Sequence, residues 1–555
     1  MAKTKKDYSK FSREKLIAEI HKLSEERQYG LIWEDKEENV VKQCQKELPV
    51  LEEVKNKEII TDSEKPVNLI IEGDNYHSLS VLNYTHAGKV DVIYIDPPYN
   101  TGSKDFIFND RYVDKEDKYR HSKWLSFMEK RLRLAKELLK PNGVIFISID
   151  DNELAQLKIL LDHLFNNQTD VIIWRKSGDS RWGKMKNVTT FRKDHEYIIV
   201  GYRSSRVRFN KMLELPNFIG ELSNPDNDPR GDWLSGSISR KETASNPSHP
   251  NYYTVISPSN KKFTRQWDIP QEEFKKLNKD KRIYWGSNNG NVPRVKIFAN
   301  EKRFITPYSV FLTKGTTTEG KEELREIFNI KKGQEDVFQN PKPVSLIKTL
   351  IQLTTKRYSV IVDFFAGTGT TGQAVLEMNK EDNGNRKFIL CTNNENNNGG
   401  RLKIATDICY PRIKKIIKGY KNLKGKKIKA LKSNLKYYKT SFVSKSRVSD
   451  DTKYGLVQRS TEMICIKEDT FDEVLNKKYI KIFRNKNQYT AILFHLDYFD
   501  DFKKELRRLN KLIHIYVFSL TNDTYENDFK DLKQKFDLCP IPESILEVYR
   551  KIFKE

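Results

Sequence analysis

The sequence predicts an α/β fold built on an open sheet, and three observations predict it. Short apolar runs such as Val90-Asp91-Val92-Ile93-Tyr94-Ile95 and Val360-Ile361-Val362-Asp363 stop abruptly at acids, prolines or glycines, as buried strands do at a sheet edge. Segments of helical periodicity alternate with such runs over residues 61–175. Two of the runs also end in compact turns whose residue types suit ligand binding.

In chain order, Leu16, Ile17, Ile20 and Leu23 fall at helical spacing among charges, an amphipathic helix within an N-terminal segment 1–60. Val67-Asn68-Leu69-Ile70-Ile71-Glu72 reads as a strand entering a turn at Gly73-Asp74-Asn75. Residues 123–139 form a strongly amphipathic helix that Pro141-Asn142-Gly143 ends. The strand after it finishes in Asp150 and Asp151, read as a strand-end turn and N-cap for a helix over 152–164 rather than as a metal pair.

The first ligand-like turn is Asp96-Pro97-Pro98-Tyr99. Two prolines cannot continue a sheet ladder, so the chain leaves the strand as a stiff, extended turn. A carboxylate, a carbonyl and an aromatic ring are then fixed at the C-terminal edge of the sheet, where open α/β sheets bind ligands. An exocyclic amino group needs acceptors and a planar base needs a stacking face; Asp96, the Pro97 carbonyl and Tyr99 supply both.

The second is Asp363-Phe364-Phe365-Ala366-Gly367-Thr368-Gly369-Thr370, a strand running into a Gly-x-Gly turn and then an apolar helix. Glycine lets the backbone turn tightly and approach a ligand, and the helix start offers free N–H groups. No Lys follows as a phosphate-binding P-loop requires. Arg386-Lys387-Phe388-Ile389-Leu390-Cys391 is the next strand, where an acid at the end would bind ribose hydroxyls. Here the chain reads Thr392-Asn393-Asn394-Glu395, and Glu395 is the displaced choice.

Extended to Asn100-Thr101-Gly102, the first turn resembles the catalytic motif of amino-directed DNA methyltransferases, and the second resembles their donor-binding Asp-x-Phe-x-Gly-x-Gly motif. The catalytic turn comes first, an order similar to the circularly permuted β group of these enzymes. Asp74 resembles the residue that approaches the donor's adenine, and Asn340-Pro341-Lys342-Pro343 resembles the segment that caps the donor pocket. More broadly, Tyr29-Gly30-Leu31-Ile32-Trp33-Glu34-Asp35, His195-Glu196-Tyr197-Ile198-Ile199 and Arg282-Ile283-Tyr284-Trp285-Gly286 resemble the modification (Mod) subunit of type III restriction-modification systems. The resemblance implies a Rossmann-like, S-adenosylmethionine-dependent fold with an inserted, β-rich target-recognition region over 176–330. It implies a catalytic half at 61–175, a donor-binding half at 331–411, and a basic linker with an α/β region over 412–555. It further implies methylation of adenine N6 in double-stranded DNA, a homodimer, and a separate helicase-nuclease (Res) partner. Asp96, Pro97, Pro98 and Tyr99 would be catalytic; Asp363, Phe365, Gly367, Gly369, Thr370, Asp74, Asn340, Lys342, Pro343 and Glu395 would face the donor.

The rest of the composition agrees. A formal charge of +24 suits a polyanionic partner. Aromatic and basic residues interleave at Trp174-Arg175-Lys176, Arg181-Trp182 and Lys261-Lys262-Phe263, as a DNA-reading surface requires. The Lys-rich run 412–439 reads as a solvated or phosphate-tracking face, its start seated as a helix by Ile413, Ile416, Ile417 and Tyr420. The five cysteines are scattered without metal-ligand spacing, and no apolar run is long enough to span a membrane. A bacterial-type cytoplasm is the expected location, with no metal and no membrane. N4-cytosine methylation, a solitary methyltransferase and a catalytically silent DNA-recognition subunit stay open as alternatives.

Overall fold

The computed structural model describes residues 33–178, 191–214, 222–298, 301–394, 402–446, 449–520 and 523–553, save Lys104, Asp110, Lys302 and Thr524, with a few residues between 11 and 16. Most of the expected N-terminal helix, Arg181-Trp182 and Glu395 lie outside these. The chain forms two compact units, one of residues 1–208 with 309–555 and one spanning Phe209–Tyr308.

The larger unit is organised by a ten-stranded sheet. Its strands are β1 (Glu47–Glu53), β2 (Val67–Glu72), β3 (Val90–Ile95), β4 (Leu139–Ile149), β5 (Thr169–Arg175), β6 (His195–Tyr202), β7 (Val310–Phe311), β8 (Val360–Asp363), β9 (Lys387–Thr392) and β10 (Asn434–Ser444). They lie in the order β1-β10-β2-β9-β8-β3-β4-β6-β5-β7. From β10 to β4 every pairing is parallel, which explains why β3, β8 and β9 are continuous apolar runs buried on both faces. The helices that matter for the site are α1 (Asn75–His86), α2 (Arg120–Leu138), α3 (Leu154–Leu164), α4 (Thr317–Phe328), α5 (Val344–Thr354), α6 (Thr370–Asp382) and α7 (Tyr410–Lys418).

The register places the two turns side by side. Ile361 pairs with Val92 and Val362 with Ile93, so the ends of β8 and β3 are neighbours. The chain leaves β3 through α2 to β4 on one side, and leaves β8 through α6 to β9 on the other. Crossovers that diverge from adjacent parallel strands open a crevice at their C-terminal ends, the switch point where such sheets bind ligands.

Several sequence expectations change here. His195–Tyr202, expected in the recognition insert, is a strand of the main sheet, antiparallel to β4 and β5, with Ile198, Ile199 and Val200 buried. The independent unit is accordingly narrower than 176–330. It holds a three-stranded sheet of Trp233–Ser237, Arg294–Phe298 and Ile283–Tyr284, and a Tyr252–Ile256/Lys262–Gln266 hairpin, packed around Trp267, Phe274 and Trp285. Trp285, in the stretch that resembles the Mod subunit, is a core residue of this unit. β10 lies within the expected basic linker, where Lys436 is neutralised by Glu53 and by Glu58 at 2.7 Å. Tyr420 falls after α7, in a short strand pair with Ile428. Pro141-Asn142-Gly143 does not end in a loop: Val90 pairs with Leu139 and Val92 with Val144, so these residues bulge out of β4. The helix after β4 begins at Leu154 rather than 152, because the Asp150 carboxylate accepts from the Asn152 N–H (2.9 Å) and closes a turn first. The segment beyond β10 folds as a five-stranded sheet with parallel pairing among Gln488–Leu493, Leu512–Phe518 and Phe536–Ile541.

Candidate active site

Asp96 continues directly from β3, and the turn it starts is held by its surroundings. The Trp124 indole N–H on α2 donates to the Pro98 carbonyl at 2.7 Å. The Tyr99 hydroxyl donates to Asp96 Oδ1 at 2.9 Å and lies 3.2 Å from Glu196 Oε2 on β6. No described residue donates to the Pro97 carbonyl.

Lys342 sits on this cluster, not on the Gly367–Gly369 turn. Its ammonium donates to Asp96 Oδ1 (2.8 Å), Asp96 Oδ2 (2.9 Å) and the Tyr99 oxygen (2.8 Å), and lies 3.4 Å from Glu196. It also stands over the Tyr99 and Trp174 rings. Lys176 holds the other oxygen of Glu196 at 3.1 Å. Two carboxylates and two ammonium groups therefore make a charge-neutral set, which is how buried ions are tolerated. Burial pulls the Lys342 ammonium down, but Asp96 and Glu196 outweigh it and the net shift is upward. Burial pushes the Glu196 carboxyl up, and Lys342 with Lys176 reverses it to a net downward shift. Burial, Asp96 and Glu196 together drive the Tyr99 phenol well up.

Lys342 reaches this position because α4 packs against its segment without a side chain in the way. A Cβ on Gly320 would lie 2.3 Å from the Pro341 carbonyl oxygen. Pro343 then caps α5, and Asn340 takes a left-handed φ of 53° on the exposed side.

The second turn is built differently. Gly367 and Gly369 take φ of 47° and 80°, a region open to glycine without strain, and Gly369 caps α6. Asp363 is buried; it accepts from Thr371 Oγ1 (2.5 Å) and the Phe365 N–H (3.1 Å). Burial nevertheless pushes its carboxyl up to about 7. Phe365 packs on Phe127, and Phe338 is the nearest side chain to Gly367. Thr370 Oγ1 does not face outward. With Thr368 Oγ1 and Gln373 it accepts from Arg412, a fully buried guanidinium on α7, at 2.8–2.9 Å. Asp74 caps α1 by accepting from the Tyr76 N–H at 2.7 Å, at the C-terminal edge of β2.

Of the sequence candidates, Asp96, Pro97, Pro98, Tyr99 and Lys342 come together in one cluster. Asp363, Phe365, Gly367, Gly369 and Thr370 form the neighbouring turn, and Asp74 tops β2. Glu196, Lys176, Trp174 and Arg412 were missed as site residues. His195-Glu196 stood out as a motif, and Trp174-Lys176 as an aromatic-basic pair, yet neither pattern says which sheet edge it faces. Trp174 is in fact buried, its indole donating to the Gly315 carbonyl.

Both turns lie within a stretch of the chain that matches a known family. Residues 90–398 match the DNA methylase family. The chain belongs to that family. This methylase is 33% identical over 362 residues to the StyLTI Mod subunit, a type III restriction-modification enzyme of Salmonella typhimurium; the match covers 60% of this chain and 53% of the relative. It thus spans about half of that relative's length. With the type II methyltransferase M.KpnI of Klebsiella pneumoniae it is 30% identical over 395 residues, 65% of this chain and 90% of the relative. Among solved structures, the methylase aligns to the M1.HpyAVI–SAM complex over 59% of this chain and 92% of that chain, at 14% identity and a TM-score of 0.27. Among its described residues no helix is long and apolar enough to cross a membrane.

Proposed function

We propose that this methylase transfers a methyl group from S-adenosylmethionine to N6 of a flipped adenine in duplex DNA, as the modification subunit of a type III-like system. The observation that carries the reading is the placement of the Asp96–Tyr99 cluster and the Gly367–Gly369 turn at one switch point of the sheet. The glycine turn fits the donor: it has free backbone, a buried acid behind it and no phosphate-binding Lys. When bound, the donor supplies a methyl group already activated on a sulfonium.

The remaining work falls to the protein. The adenine amino group lies inside the base stack, so it must be extruded, at a cost of a few kcal/mol. Tyr99 offers a ring to stack on. Asp96 Oδ1 already accepts from both Tyr99 and Lys342, whereas Oδ2 accepts from Lys342 alone and keeps a lone pair for an amino proton. The Pro97 carbonyl takes the second. Two acceptors at fixed positions draw the nitrogen toward tetrahedral geometry and aim its lone pair, so catalysis rests on orientation and electrostatics. Lys342, donating to both oxygens of Asp96, holds the carboxylate in place for this task.

DNA as substrate and a Res partner are part of the same proposal, supported by the StyLTI Mod relative and by the net charge of +24; a homodimer is proposed with them. Asp96→Ala is expected to keep donor affinity while losing on the order of 10²–10³ in turnover. Labelled-methyl transfer into duplex DNA, followed by identification of the modified base, checks this. Label on cytosine N4, or wild-type turnover in Asp96→Ala, would overturn the assignment.

A further inference from the structure

Behind the catalytic turn lies a buried polar cluster that the reaction as described does not use. Asn100 follows Tyr99, is fully buried, and holds a left-handed φ of 57°. Its Nδ2 donates to Glu153 Oε1 at 2.5 Å and to the Arg120 carbonyl at 3.2 Å. Glu153, just before α3, has no exposed surface. Its Oε1 also lies 2.7 Å from His121 Nδ1.

The proton positions follow from the donors. Arg120 Nε lies 3.2 Å from His121 Nε2 and can only donate, so Nε2 is an acceptor. The imidazole proton is then on Nδ1 and points at Glu153 Oε1, with His121 neutral; burial and Arg120 both push its pKa down. Oε1 thus receives two hydrogen bonds. Two buried oxygens are left over, Glu153 Oε2 and Asn100 Oδ1, and neither has a donor. They belong to the two groups already joined through Nδ2 and Oε1. A proton on Oε2 satisfies both at once: O–H donates to Asn100 Oδ1 and closes an eight-membered acid–amide ring. An ionised Glu153 leaves two acceptors buried without a donor, which folded proteins seldom tolerate.

We propose that Glu153 is a positioning residue that carries a proton and, through a cyclic acid–amide pair with Asn100, fixes the exit of the Asp96–Tyr99 turn. The groups facing it are Arg120 and His121 at the start of α2, Asn100 on the turn, and Asp150 after β4. Burial is the largest influence on this carboxyl and lifts it to about 8, with Asp150 adding to the rise and Asn100 and Arg120 opposing it. An acid raised in this way is protonated below that point and loses its proton above it. The ring, and with it the alignment of Asp96, is therefore present at neutral pH and lost in alkali.

The kinetic part of the test rests on the methyltransferase reading. Glu153→Gln places an N–H where the acid had its O–H, so it keeps the ring and removes the titration. The expected result is a wild-type kcat that falls at alkaline pH and a rescue by Glu153→Gln of most of the tenfold or greater loss seen in Glu153→Ala. The Gln variant should show no alkaline fall, with the donor Kd unchanged throughout. Glu153→Gln as slow as Glu153→Ala, or with the wild-type alkaline limb, would overturn it. Infrared spectroscopy of the whole protein supplies an activity-free readout. A protonated carboxylic C=O band is expected at neutral pH in wild type, and its loss in Glu153→Gln assigns it; no such difference sinks the proposal even if Glu153→Ala fails to fold. Should no variant methylate DNA while that band difference is present, the functional reading fails and the acid–amide pair stands.

Discussion

Replacing Arg412 with Met tests whether the donor turn is held from beneath. Met keeps an unbranched apolar stem but not the guanidinium, and the perturbation removes three hydrogen bonds, to Thr368, Thr370 and Gln373. Hydrogen bonds to a charged group contribute about 1.5–3 kcal/mol each. Against that gross loss stands the cost of burying a guanidinium, which Met does not incur and which amounts to several kcal/mol. Thr368 and Thr370 keep each other as partners at 3.1 Å, whereas Gln373 Oε1 loses the Arg412 donor. Glu323, 4.0 Å from Arg412, loses its counter-charge. The net expectation is a loss of about 2–4 kcal/mol in urea unfolding, together with donor affinity weakened at least tenfold, or about 1.4 kcal/mol, in calorimetry.

The same variant has a pH signature. Burial raises the Glu323 carboxyl to about 6, and Arg412 opposes the rise. A carboxyl raised on folding contributes fully below its unfolded pKa, and that contribution is lost as pH climbs through the folded value. Without Arg412 the rise is larger, so the deficit of Arg412→Met is expected to be greater at about pH 7.5 than at about pH 5. Stability within about 0.5 kcal/mol of wild type and unchanged donor affinity would refute the whole argument.

Two further expectations concern the segment that delivers Lys342. Lys342→Met leaves Asp96 and Glu196 facing each other with only Lys176 to balance them. Turnover should fall on the order of 10² while donor affinity stays within about threefold, measured by labelled-methyl transfer and calorimetry; a selective loss of donor binding would instead return Lys342 to the donor pocket. Gly320→Ala forces a methyl onto the Pro341 carbonyl oxygen, 2.3 Å away. It should cost about 1–3 kcal/mol in urea unfolding and slow turnover with it, and an unchanged unfolding curve would show that the segment moves freely.

What was legible in the sequence is what local chemistry decides. The strands carrying Asp96 and Asp363 announced themselves because a parallel central strand is apolar on both faces and must then break sharply. The two glycines of the second turn were readable because only their backbone freedom suits the φ values found there. What stayed hidden depends on partners distant in the chain. Arg412 stands among lysines in a basic run, and nothing local distinguishes a guanidinium destined for full burial from the exposed ammonium groups beside it. β10 starts in that same run and is buried from Asn434 to Tyr438, Lys436 included; pairing with β1 and β2 and the neutralisation of Lys436 make it a strand. Lys342 could be placed beside the donor by its motif, but its bond to Asp96 depends on how closely α4 approaches Pro341.

The chain order of the two turns, reversed relative to many methyltransferases, has little bearing on the site itself. β3 and β8 are hydrogen-bonded neighbours although β4, β5, β6, β7 and the whole Phe209–Tyr308 unit intervene in sequence. Closing a longer loop costs only slowly more, by about 0.6 kcal/mol for each doubling of its length. A parallel pair needs a long crossover in any case, so an insertion that folds on its own can occupy it without disturbing the register. What cannot move is the divergence of α2 and α6 from adjacent strands. That divergence opens the crevice, and it would be destroyed by exchanging β8 with β9, whatever the order in which the chain supplies them.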